Sequence, residues 1–208
     1  MIGIVDYGLG NIQAFINIYK QLGVAAETVD SPEKLRSANK IILPGVGAFD
    51  WAMARLNQSG LRETLDELVL EKGIDVLGVC VGMQIMAQRS EEGREPGLGW
   101  LDAEVKHFDV SRFKRHPHVP HMGWNDATPR IANALFHGLA APRFYFLHSF
   151  YFAPNDPGLV LAETNYGGPF TSAVRSGNIC GTQFHPEKSH DWGIQLLKNF
   201  AEPNDAST

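Results

Sequence analysis

Cysteine is scarce in this chain: two in 208 residues, Cys80 and Cys180. That scarcity, with no export signal, speaks for reduced thiols in a cytoplasm and against a disulfide between them. Long apolar runs are missing too, and nothing approaches the length that crosses a bilayer, so no membrane partner is expected. There is no block of Lys and Arg, and the net charge is −5, which argues against a nucleic-acid partner. Repeats and low-complexity stretches are absent. The opening "MIGIVDYGLGN" lacks a basic leader and reaches Asp6 after a few apolar residues, so it reads as a first strand rather than a signal peptide. What remains is a chain with 44% hydrophobic residues, long enough for one compact α/β domain over residues 1–208.

The first half alternates. Apolar runs at residues 2–6, 26–30, 40–45 and 74–79 predict strands. Between the first two, Ile12, Phe15, Ile16, Tyr19 and Leu22 fall at helical spacing, and Gly23 ends the run. Ser31-Pro32 places a capping residue and a proline where a helix begins. "DWAMARLNQ" and "LRETLDELVLEKG" supply helix before the fourth strand, and "VGMQIMAQ" supplies it after. Such alternation predicts a central, mostly parallel sheet flanked by helices. Residues 100–185 change character. Short strand candidates such as "WLDAEVKHF", "FYFLHSFYF", "LVLAETNY", "FTSAVRSG" and "NICGTQF" predict an antiparallel β extension. A final helix carries Trp192, Leu196, Leu197 and Phe200 on one face.

The chemistry centres on "GVCVG", residues 78–82. Glycines two residues either side of Cys80, where a strand gives way to a helix, have the form of a nucleophile elbow with cysteine in place of serine. A sharp turn would push the thiol out of the sheet edge. The helix starting at Val81 would turn its free N–H groups toward the sulfur, favouring thiolate and offering oxyanion donors. Equally open is a cysteine packed as a small apolar residue. Cys180, in an alternating strand with no helix behind it, reads as core. A thiolate needs a base and an orienting group. "FHPEKS" supplies His185 and, two residues on, Glu187; in extended geometry both side chains leave the same face, where the carboxylate would hold the imidazole in one tautomer. "LPGVGAF" (43–49) ends a third strand, and Gly45 and Gly47 allow a turn that aims successive N–H groups at one point. It would also serve as a plain turn.

Taken in order, "PGVG", "GVCVGMQ" and "FHPEKS" resemble the class I (triad) glutamine amidotransferases. "DYGLGN", "VPHMGWN", "FYFLHSF" and "GIQLLKNF" extend the resemblance over nearly the whole chain and narrow it to the glutaminase subunits of imidazole glycerol phosphate synthase, in histidine biosynthesis. The resemblance implies that Cys80 attacks the side-chain amide of L-glutamine and forms a thioester. His185 would move protons and Glu187 would orient it, while backbone N–H groups around Val46, Gly47 and Val81 hold the oxyanion. It places Gln84, Glu92, Ser149 and Phe150 at the glutamine, with Glu92 at the amino group and the backbone near Ser149 and Phe150 at the carboxylate. The implied partner is a (β/α)8-barrel cyclase subunit in a heterodimer that receives the ammonia, with Asn11, Trp124, Tyr145 and Lys188 near its mouth. No metal or organic cofactor is expected. Val81 stands where leucine is usual, but its N–H is the functional part. "NIQAF" and "KSHDWG" are less typical of the histidine enzyme. That leaves open a paralogous glutaminase that feeds a cyclase-like synthase making amidino sugars for surface polysaccharides. A non-catalytic binding subunit and a cysteine peptidase on a similar fold are further options; an intact Cys80, His185 and Glu187 speak against the first, and Gln84 with Glu92 against the second. His116, His118 and His121 in "RHPHVPH" raise the thought of zinc, but no Cys, Asp or Glu accompanies them, so a proline-stiffened loop is expected there.

Overall fold

The structure is a computed structural model that describes residues 1–112 and 119–202. In the first half, β1 (Ile2–Val5), α1 (Ile12–Gln21), β2 (Ala26–Val29), α2 (Pro32–Arg36), β3 (Lys40–Gly45), α3 (Phe49–Gln58), α4 (Arg62–Asp66), β4 (Asp75–Cys80) and α5 (Val81–Gln84) follow one another. The second half adds β5 (Arg89–Ser90), β6 (Ala103–His107), β7 (His121–Asp126), β8 (Thr128–Pro129), β9 (Arg143–His148), β10 (Phe150–Pro154), β11 (Val160–Asn165), β12 (Pro169–Ser176), β13 (Ile179–Thr182) and α6 (His190–Ala201).

Eight strands form the central sheet in the order β2-β1-β3-β4-β13-β12-β11-β8. The first five are parallel and the last three antiparallel. β3 and β4 are buried at every residue but the first, as strands covered on both faces must be. Local chemistry sets the helices. Ser31 Oγ accepts from Lys34 N at the start of α2, with Pro32 in the first helical position. α1 buries Phe15 and Tyr19, and the Tyr19 hydroxyl donates to the Leu197 carbonyl of α6 at 3.2 Å, tying the two helices to one layer. The antiparallel extension that the composition shift predicts is shared between the β12-β11-β8 edge of the central sheet and two small sheets. These are the antiparallel pair β7-β9 and β10-β6-β5, in which β5 runs parallel to β6.

The structure departs from the sequence expectations in three places. The helix after Cys80 is a single turn, not the length of "VGMQIMAQ". After Ile85 the ladder tightens, with Met86 N and Ala87 N donating three residues back to Met83 O and Gln84 O, and Gln88 N leaves it for Ala103 O. The carbonyls of Ile85, Met86, Ala87 and Gln88 accept from Leu98, Leu101, Gly99 and Gly97 of the returning loop. "FYFLHSFYF" is not one strand: it breaks at Ser149 into β9 and β10, which belong to different small sheets. Lastly, β13 inserts beside β4, parallel to it but antiparallel to β12. That insertion positions the site. Gly45 lies opposite Cys80, and Thr182 opposite Val79, so β3, β4 and β13 end side by side at one edge.

Candidate active site

Cys80 closes β4 with φ of 56° and ψ of −112°, a left-handed conformation that costs a non-glycine residue free energy. The surrounding glycines make that turn possible by close approach. A Cβ on Gly82 would run into the Leu43 carbonyl oxygen, and one on Gly78 would lie 2.8 Å from both Gly82 O and Met83 Cα. The elbow is therefore pressed against β3. Val46 and Gly47 leave β3 just past its last paired residue, with Gly47 at φ 89°, and lie beside Cys80 and Val81 in the wall of the same cavity.

His185 follows β13. Its backbone N–H donates to Tyr145 O at 2.9 Å, and its carbonyl accepts from Ser189 Oγ at 2.6 Å, so the residue is pinned to β9 and to the start of α6. His185 Nδ1 lies 2.8 Å from Glu187 Oε1, with the two side chains 3% and 2% exposed. The extended geometry anticipated for this pair is not what joins them. Pro186–Lys188 is a 3-10 turn with proline at its first position, and the turn curls the carboxylate back onto the ring. With Nδ1 committed to Glu187, Nε2 remains for Cys80. Burial works to lower the His185 pKa. The charge and hydrogen bond of Cys80, then the hydrogen bond and charge of Glu187, outweigh it and raise the value to about 10.

These groups open onto a cavity of about 270 Å³. Cys80, Val46, Gly47, Val81, Gln84, Glu92, Ser149, Phe150, His185 and Lys188 all line it, and Glu187 stands behind His185. Gln84 is buried; its Nε2 donates to Phe150 O at 2.9 Å and to Gln183 Oε1 at 3.1 Å. Glu92 Oε2 accepts from Phe49 N at 2.9 Å, where a carboxylate also meets the positive end of α3. Asp50 reciprocates from that helix by accepting from Arg94 N and Glu95 N. Asn11, Trp124 and Tyr145 are not in the cavity wall. Asn11 is exposed and precedes α1. Trp124 is 38% exposed and stacks on His190 at 5.2 Å, and Tyr145 lies edge-on to it at 6.2 Å.

A model of the glutamine amidotransferase class-I family matches residues 3–203. The chain belongs to that family. It is 55% identical to imidazole glycerol phosphate synthase subunit HisH of Bdellovibrio bacteriovorus over 203 residues, 97% of this chain and 100% of that one. Against the subunit of the same name from Leptospira interrogans the identity is 51%, over 97% and 99% of the two chains. Among solved structures, a glutamine amidotransferase superposes with a TM-score of 0.73 at 23% identity, covering 97% of this chain and 99% of that one. PurLQS from Thermotoga maritima gives 0.72 at 18%, with 96% of each chain covered. At such identities these two likenesses speak to fold.

Sequence reasoning overlooked several residues around the amidotransferase cavity. Gln183 is fully buried and bridges Gln84 to the sulfur, its Nε2 lying 3.8 Å from Cys80 Sγ. Its place two residues before His185 was the available signal. Tyr7, inside "DYGLGN", donates its hydroxyl to Pro44 O at 2.7 Å and so braces the strand that leads to Val46. Burial, and then the charge of Cys80, hold that phenol well above the usual range. His148 also lines the cavity, and it pairs with His121 behind it. Of the histidine run, His116 and His118 lie outside the described residues. Both ring nitrogens of His121 are engaged in hydrogen bonds. Among the described residues no cluster of His, Cys, Asp or Glu could hold a metal, and no helix is long and apolar enough to cross a membrane.

Proposed function

We propose that this cavity hydrolyses L-glutamine and that the chain is the glutaminase subunit of an imidazole glycerol phosphate synthase, supplying ammonia for histidine biosynthesis. The observation that carries the proposal is the left-handed Cys80 in the wall of a cavity sized for one amino acid, with the buried His185–Glu187 pair beside it. The Cys80 thiolate attacks the side-chain amide carbon, and the amide oxygen becomes an oxyanion facing the backbone N–H groups of Val46, Gly47 and Val81. The tetrahedral species collapses as His185 gives its Nε2 proton to the departing nitrogen, leaving a thioester and free ammonia. Water then attacks the thioester as His185 takes its proton, and glutamate leaves with the thiolate restored. Glu187 steadies the imidazolium in both halves.

Glutamine sits between two polar ends. Glu92 offers a carboxylate to its ammonium, and the Ser149–Phe150 backbone, bent where β9 hands over to β10, meets its carboxylate. Gln84 holds that bend in place through Phe150 O. The full-length likeness to HisH subunits supports the histidine assignment. It also supports a cyclase partner of (β/α)8-barrel fold, docked over Lys188 at the cavity, with Asn11, Trp124 and Tyr145, which lie outside the cavity wall, as its further contacts. Ammonia released to bulk water would be protonated and lose its nucleophilicity, so a covered mouth suits the chemistry.

Glutamate release from glutamine tests the proposal, measured for the chain alone and with a histidine-pathway cyclase plus that cyclase's nucleotide ligand. A large rise with the cyclase is expected. Activity that depends on Cys80 but ignores the cyclase would move the assignment to the surface-sugar paralogue. No glutamate under any condition would overturn it.

A further inference from the structure

From the cavity wall at His148 inward, two buried histidines and an asparagine form a hydrogen-bond chain in which every proton has one consistent position. His148 Nδ1 lies 2.7 Å from Phe150 O. A carbonyl can only accept, so Nδ1 carries the hydrogen and, in the neutral ring, Nε2 is left with a lone pair. That Nε2 lies 3.0 Å from His121 Nδ1, which must therefore be the donor. His121 Nε2 then accepts from Asn125 Nδ2 at 3.2 Å. The Asn125 amide is oriented independently, since its nitrogen also donates to Asn165 O at 3.1 Å and its oxygen accepts from Asp126 N at 2.9 Å. All hydrogens thus run from Asn125 on β7, through His121 and His148, to Phe150 O.

The rings are held for this task. His121 is stacked between Tyr166, at 3.9 Å, and Phe146, at 4.6 Å, and Phe108 and Phe170 meet its edges. Its exposure is 3% and that of His148 is 6%. A second proton on either ring would set two donors face to face at hydrogen-bond distance. Burial pushes the same way, holding His121 down to about 4; for His148, burial and then the neighbouring His121 hold it at about 3.

The chain ends where the substrate is proposed to bind. Phe150 O accepts both His148 Nδ1 and Gln84 Nε2, and Gln84 leads through Gln183 to Cys80 Sγ. We propose that His121 and His148 are positioning residues: a neutral pair, both protonated at Nδ1, that fixes the Phe150 carbonyl and with it the pocket floor at Ser149, Phe150 and Gln84. The pair touches no reacting atom, so its effect belongs in glutamine affinity rather than in the chemical step. This rests on the glutamine reading for its kinetic consequence but not for its spectroscopic one.

The test has two arms. Nitrogen-labelled histidine spectra of the full wild-type chain at neutral pH should show both residues as neutral Nδ1–H tautomers, with assignment by His121→Phe and His148→Gln. An Nε2–H tautomer or an imidazolium at either position would overturn the proposal. In kinetics, His121→Phe keeps an aromatic ring between Tyr166 and Phe146 but removes the donor to His148. Its KM for glutamine should rise about tenfold, with kcat within about threefold of wild type. His121→Asn, which returns an N–H near the place of Nδ1, should recover most of that KM. A His121→Phe enzyme with unchanged KM, or one that loses kcat alone, would sink it. If the tautomers are found and no glutamine turnover exists in any form, the functional proposal fails while the histidine pair stands.

Discussion

Cys80 and Cys180 lie on neighbouring strands, both buried, yet the sheet treats them in opposite ways. Cys180 is paired in the middle of the frame, opposite Leu77 on one side and Arg175 on the other. Burial pushes its thiol up to about 11, and the space beside it is about 20 Å³. Cys80 stands at the edge where β3, β4 and β13 stop together, its backbone turned left-handed, with an imidazole beside it and a cavity in front. Residue type and burial are the same. What differs is the position along the strand, because at the edge neighbouring loops gather His185, with Glu187 behind it, and the Val46–Gly47 turn around one sulfur.

Substituting each cysteine is the sharpest way to break this contrast. Cys80→Ala should abolish glutamine hydrolysis, a loss of at least about 10³-fold, read as glutamate released per hour. Glu187→Gln should follow, lowering kcat by roughly 10²-fold. The sign of its pH effect is fixed: Glu187 helps to raise the His185 pKa toward about 10, so its loss lowers that pKa. Imidazolium is then surrendered sooner as pH rises, and the basic limb of kcat/KM should move to lower pH; a limb that stays put or moves up would refute the pairing. Gly82→Ala asks whether the elbow needs its close approach to Leu43. It should cost about 2–3 kcal/mol, seen as a fall in Tm of roughly 5–10 °C. Cys180→Ala is the smallest, with glutamate release within about twofold of wild type and stability lower by about 1 kcal/mol.

The frame was largely legible. Alternating apolar runs and helical spacing gave four of the five parallel strands, because buried parallel strands and amphipathic helices write their periods directly into the chain. The fifth, β13, reads in the sequence as part of the antiparallel extension. "GVCVG" and "FHPE" announced the turned Cys80 and the His185–Glu187 pair that the structure brings together, because glycine and proline record backbone demands. Other features were not. Nothing around Val81 reveals that the next helix stops after one turn, since the carbonyl that draws Gln88 N out of the ladder belongs to Ala103, on β6. Ser149 divides two strands only because β7 and β6 compete for the flanking segments. Gln183 and the His121–His148 pair depend on contacts between residues dozens apart in sequence, which a local pattern does not encode.

The most direct measurement is to treat the full chain with a chloroketone analogue of glutamine and map the adduct by mass spectrometry, following glutaminase activity in the same samples. One equivalent on Cys80, growing in step with the loss of activity and slowed by glutamine, is the outcome this account predicts. An adduct on Cys180, or activity that survives full modification of Cys80, would contradict it.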